Sequence, residues 1–130
     1  MIEVEVFGAS LALEAPAPQE IARLCTQAAA SRGIEQGHVA IEFVDARRIE
    51  QLNRTYREKP APTDVLSFPV DGVEPALPRE LGDIVICPEL TADLREALVH
   101  GMLHLLGMDH ETDGGEMLAL QRELLDRAQA

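Results

Sequence analysis

Three of the chain's four histidines fall within the stretch Ala97 to His110, ALVHGMLHLLGMDH. From Ala97 through Met108 the only polar side chains are His100 and His104, and apolar residues cover most of the helical circumference. Such a segment predicts a buried helix. His100 and His104 lie four residues apart, which sets their rings about 40° from one another on adjacent turns. Gly101 beside them has no side chain, at a cost of roughly 1 kcal/mol of helix stability relative to Ala; something needs the room. A lone buried histidine is ordinarily a core residue satisfied by a carbonyl or a surface partner. Two on one face among apolar neighbours must satisfy both nitrogens of each ring, and a metal ion takes one from each. Gly107, just past the periodic run, favours a left-handed helix cap, and the returning chain delivers His110 as a third imidazole. Three neutral nitrogens with an open fourth position describe a catalytic zinc site rather than a closed structural one, with one Zn2+ per chain.

The spacing His-x-x-x-His-x-x-x-x-x-His, with Gly three residues after the second His, is that of the metzincin metalloproteases. Those enzymes carry a Glu after the first His as general base, and here that position is Gly101. Without the carboxylate that passes a proton to an amine leaving group, peptide hydrolysis is the poorer fit. Asp109 and Glu96 are nearby substitutes, each also readable as a turn residue or a solvated helix position.

The elements that must hold this helix are mixed. Ile2, Val4 and Val6 alternate with Glu3 and Glu5 as a half-buried strand. After Pro16 and Pro18, Ile21, Leu24, Cys25 and Ala28 recur at helical spacing until Gly33. Val39, Ile41 and Phe43 mark a second strand, and Ala46 to Tyr56 a short amphipathic helix. Lys59 to Pro62 reads as a loop, Asp64 to Phe68 as a strand, and Asp71 to Glu80 as an irregular loop. Ile84 to Cys87 is a short central strand closed by Pro88. Helices are expected from about Glu89 to Leu106 and from about Gly115 to Ala128, the last opened by a capping box of Asp113 and Glu116. The fold class is α+β: one domain, residues 1–130, with a small mixed sheet of about four strands covered by helices.

Composition bounds the partners. The 130 residues carry 11 Lys and Arg against 23 Asp and Glu, a net charge of -12. That excludes a nonspecific nucleic-acid coat or an anionic-membrane binder, which need an electropositive face, yet leaves room for a local basic groove. Cys25 and Cys87 are read as buried small hydrophobes in a reducing compartment. No leader-like or membrane-spanning stretch stands out, so a cytoplasmic protein is expected.

His100-Gly-Met-Leu-His104-Leu-Leu-Gly107-Met-Asp109-His110 resembles the signature of the YbeY endoribonuclease (rRNA maturation factor) family. Three further blocks agree in order: Leu52-Asn53-Arg54-Thr55-Tyr56-Arg57, Pro62 to Pro69, and Leu81 to Pro88. The resemblance implies a zinc-dependent, single-strand-specific endoribonuclease acting in 16S rRNA 3′-end maturation and ribosome quality control. It implies His100, His104 and His110 as zinc ligands and catalytic residues, and Arg57 as the active-site arginine. The expected partners are single-stranded rRNA and the small ribosomal subunit, with a ribosomal protein or assembly GTPase for targeting, and neither DNA nor a membrane. Two departures stand out: the segment from Cys87 to His100 is shorter than usual, and Met108 replaces the customary Tyr.

Guanidinium matches phosphate in bidentate geometry, so Arg57 is the candidate clamp for a phosphate oxygen. Arg54 and Lys59 would extend a short basic track, and Ser67 is a candidate substrate contact or simply a strand residue. Asp83 either orients the site or begins a strand. Base stacking is thinly supplied, by Tyr56 or Phe68. The rival readings are a metzincin-like metallopeptidase and a non-catalytic, zinc-stabilised ribosome-associated module. The acidity then predicts weak, salt-sensitive affinity for free RNA and delivery by a partner.

Overall fold

The computed structural model describes residues 2–57, 64–69 and 80–129. The expected loops at Lys59 to Pro62 and at 71–79 lie outside them. Among the described residues the sheet has four strands, β1 (Ile2–Phe7), β2 (Gly37–Phe43), β3 (Val65–Pro69) and β4 (Glu80–Ile86), in the order β1-β2-β4-β3. β1, β2 and β4 run parallel, and β3 joins β4 antiparallel. The helices are α1 (Pro18–Ser31), α2 (Ala46–Arg57), α3 (Leu94–Leu105) and α4 (Glu116–Gln129). The expected α+β class and mixed sheet are therefore present.

Alternation decides the faces. Val39, Ile41, Phe43, Ile84 and Ile86 point to one side, where they join Leu24, Cys25 and Ala28 of α1, Leu98, Met102 and Leu103 of α3, and Met117 and Leu124 of α4. On the other side Val85 and Leu66 meet Ile49 and Leu52 of α2 in a smaller core. Strands buried on both faces lose the polar alternation of a half-exposed strand. Cys25 and Cys87 are free and buried, as expected, and burial pushes the Cys25 thiol up to about 12. No helix among the described residues is long and apolar enough to cross a membrane.

Three boundaries differ from expectation. β4 begins at Glu80 rather than Ile84. A register shift between His38 and Val39 sets Leu81 and Gly82 both inward, and this hides the strand's alternation in sequence. Gly82 is required there: it sits at φ 132°, and a Cβ would lie 2.3 Å from the Phe68 carbonyl oxygen. α3 begins at Leu94, not near Glu89. Pro88–Leu90 form a single 3-10 turn, and Asp93 caps the helix by accepting from the backbone N–H groups of Arg95 and Glu96 at 3.0 and 3.2 Å. The α4 cap is displaced from the expected box. Asp113 accepts from Gly115 and Met117, while Glu116 reaches the N–H of Gly114 instead of returning to Asp113.

On the outer face of the sheet His38 bridges two carboxylates, Glu80 on β4 at 2.7 Å and Glu5 on β1 at 2.6 Å, with Asp83 beside them. Burial acts to lower the His38 pKa, but the hydrogen bonds and charges of Glu80 and Glu5 outweigh it and the net shift is upward. A raised folded pKa contributes stability that is full below the unfolded value, about 6.5, and is lost as pH rises through the folded one. His38→Gln is therefore expected to lower stability by up to about 1 kcal/mol at pH 5.5 and by less at pH 9. Melting curves of both proteins at the two pH values check this, and a gap that does not narrow at pH 9 contradicts it.

Candidate metal centre

α3 reaches the sheet closely because Gly101 faces it. A Cβ at Gly101 would stand 2.7 Å from Ile84 Cγ2 and 3.3 Å from Ser67 Oγ. The room that the glycine leaves is thus taken by the sheet. Ser67, buried on β3, donates its hydroxyl to the Gly101 carbonyl at 2.9 Å, tying strand to helix. With this side of α3 inward, His100 and His104 emerge together at the half-buried edge of the core.

The helix ends as the glycine predicts. Gly107 takes φ 94°, its N–H bonds the His104 carbonyl, and the Met108 N–H bonds the Leu103 carbonyl, both at 3.0 Å. This is the paired bonding of a Schellman cap. The turn swings the Met108 carbonyl onto His104 Nδ1 at 3.0 Å and carries His110 back to the pair. Met108 serves the site through its backbone, while its side chain packs on the main core. The contact to His104 therefore does not depend on which side chain stands at position 108.

The three rings converge. Their centroids are 4.7, 4.9 and 5.3 Å apart, and one nitrogen from each lies within 4.8 Å of the others. His104 Nδ1 faces a carbonyl and must donate. His100 Nδ1 lies 2.8 Å from Gln121 Oε1 on α4, where it too donates. Neutral rings in these tautomers turn bare Nε2 lone pairs toward one another across 3.1 Å, an arrangement that a cation between them relieves. Burial, then the neighbouring His100, holds His104 below its ordinary pKa, against the pull of the Met108 carbonyl. That favours the neutral, metal-ligating form. Nδ1 of His110 is buried with no hydrogen-bond partner among the described residues. The donor set fits a metal ion.

The histidines line a cleft of about 550 Å³ whose other wall is Asn53, Asp64, Val65, Leu66 and Ser67. Gly107, Met108, Asp109 and Glu111 also line it. Asp109 accepts from the Glu111 N–H at 2.9 Å, as a turn residue does, and Glu96 is exposed on the first turn of α3. Arg54 is exposed and paired with Glu50 at 3.0 Å. The side chain of Arg57, the last residue of α2, and the whole of Lys59 lie outside the described residues. Tyr56 and Phe68 meet edge to face at 5.3 Å, and Asp83 is exposed on β4, away from the cleft lining. Sequence reasoning missed Asn53 and Gln121. Gln121 carried a signal, being a polar residue in the apolar stripe of Met117 and Leu124.

Fold and site define an α+β protein that presents a three-histidine metal-holding group at the rim of a cleft. A family model described as Endoribonuclease YbeY matches residues 11–129. The Endoribonuclease YbeY of Rubrobacter xylanophilus is 40% identical, over 84% of this chain and 83% of its own length. That of Geobacillus thermodenitrificans is 38% identical, over 97% and 96%. A solution structure of a Thermotoga maritima protein matches 98% of this chain and 89% of its own, with TM-score 0.56 and 26% identity. The chain belongs to the endoribonuclease YbeY family and, with it, to the hydrolytic nucleases that act on RNA.

Proposed function

We propose that the chain is a single-domain, zinc-dependent endoribonuclease specific for single strands, working in 16S rRNA 3′-end maturation and ribosome quality control in the cytoplasm. Its targets are rRNA within the small ribosomal subunit, reached through a ribosomal protein or an assembly GTPase. The observation that carries the reading is the 3.1 Å approach of His100 Nε2 to His104 Nε2, with their Nδ1 atoms set against Gln121 and the Met108 carbonyl and His110 beside them. These three histidines would hold one Zn2+ in a metzincin-like ligand spacing, and a bound zinc ion supplies Lewis acidity toward a phosphoryl group.

The chain's own residues do the rest. The described cleft lining presents Asp64, Asp109 and Glu111, which repel a phosphodiester, so cationic contacts must be local. Arg57 supplies the clamp on a nonbridging oxygen as charge develops there. Arg54 and Lys59 extend the basic track along the RNA strand, and Ser67, which lines the cleft while its hydroxyl donates to the Gly101 carbonyl, is a candidate substrate contact. The peptidase alternative meets an obstacle in the packing. A Glu at position 101 would project its side chain at Ile84 and Ser67, not at a scissile bond.

The test uses protein of measured metal content on single-stranded rRNA, duplex RNA and an unstructured protein. Cleavage of the single strand alone is expected, and Arg57→Ala should lower kcat by about 100–1,000-fold with the metal content unchanged. Proteolysis in place of RNA cleavage, or full activity in Arg57→Ala, overturns the reading.

A further inference from the structure

Gln121 is 8% exposed on α4, one turn after Met117 and one before Leu124, both wholly buried. A carboxamide inside an apolar stripe costs stability unless its polar atoms are matched. Its oxygen lies 2.8 Å from His100 Nδ1, and among the described residues His100 is the one ligand whose outer nitrogen is served by a different element. His104 is served by the carbonyl of its own helix cap, and His110 Nδ1 by no partner among the described residues. On its far side Gln121 lines a second cavity of about 380 Å³, with Arg95, Glu96 and Arg122. Gln121 therefore stands between His100 and that outer cavity.

We propose that Gln121 is a positioning residue for the metal centre. Its carboxamide oxygen holds the proton of His100 on Nδ1, so that Nε2 faces His104 and His110 as a bare donor, and it shields this bond from the outer cavity. An imidazole fixed in this way is a better and better-oriented ligand, and loss of such a partner lowers metal affinity by about 10–100-fold. The proposal rests on the metal reading above. It extends that reading to α4, which packs Met117 and Leu124 into the core on either side of Gln121.

The experiment titrates Zn2+ against a competing chelator in the full chain and in Gln121→Leu and Gln121→Glu. Leu is expected to weaken binding by about 10–100-fold, and Glu, which accepts the same hydrogen bond, to restore it. Nitrogen-15 NMR of the zinc-loaded wild type is expected to place the metal on His100 Nε2 and a slowly exchanging proton on Nδ1. In Gln121→Leu that proton should exchange faster. Should Gln121→Leu fail to fold, the wild-type spectrum and the Glu variant still decide. Metal on His100 Nδ1, a fast-exchanging Nδ1–H, or equal affinities in wild type and Leu variant overturn the proposal while leaving the metal reading intact. A wild type that retains no Zn2+ overturns both.

Discussion

His104→Ala is expected to lose metal and RNA cleavage together, with the rate falling by about three powers of ten or more. That corresponds to roughly 4 kcal/mol of transition-state stabilisation. His104 is held at both ring nitrogens: its Nδ1 is committed to the Met108 carbonyl and its Nε2 stands 3.1 Å from that of His100. Removing it leaves two nitrogens, too few to retain the ion against a chelator, and frees the Met108 carbonyl from its donor. The check is metal per chain by emission spectrometry and kcat on a single-stranded RNA, measured on one preparation, with circular dichroism to confirm the fold. A variant that keeps its metal and cleaves at the wild-type rate would remove the histidines from the chemistry.

Gly101→Ala is expected to destabilise by about 1–2 kcal/mol, although the same change in an exposed helix gains about 1 kcal/mol. The sign reverses because the new methyl would sit 2.7 Å from Ile84 Cγ2, a branch close to the strand backbone that cannot swing aside. Overpacking of this kind costs about 1–3 kcal/mol. Gly101→Glu adds a buried carboxylate to the same clash and should not yield a folded chain. Urea titration of Gly101→Ala, Ile84→Ala and the double variant tests the cause: the double variant should lose less than the sum of the singles. Strict additivity would mean that the glycine serves something other than the approach of α3 to β4.

Much of this site was legible because its determinants are local. The spacing of His100 and His104, the apolar surround and Gly107 lie within one helix and its cap, where period and capping rules operate. β1, β2 and α1 were legible for the same reason, each being a single periodic run. What escaped was set by pairing across the chain. The insertion of β4 between β2 and β3, and the bulge that makes Leu81 and Gly82 consecutive inward residues, depend on partners far away in sequence. The meaning of Gly101 was misread in part: the spacing showed that room was needed, but only the fold shows that Ile84 and Ser67 need it. Gln121 was visible as a misplaced polar residue and could not be assigned without α4 lying against α3. The start of α3 was blurred because Pro88 opens a helix-like turn five residues before Asp93 caps the real one.

The Gly101 contact has a consequence for how the enzyme divides its labour. All three histidines ride on α3 and the turn that closes it, whereas the facing wall of the cleft belongs to α2 and β3. α3 meets the sheet that carries this wall through Gly101, which lies against Ile84 of β4 and Ser67 of β3. A small slide of α3 along the sheet would leave every ligand-to-ligand distance unchanged while altering the gap between the ion and the wall opposite. Holding the metal and placing the RNA are thus separate mechanical tasks, joined at a seam where one methyl group is already too large. Substitutions along that seam would tune turnover without touching affinity for the ion, and this gives selection a means of adjusting speed while the metal centre stays fixed.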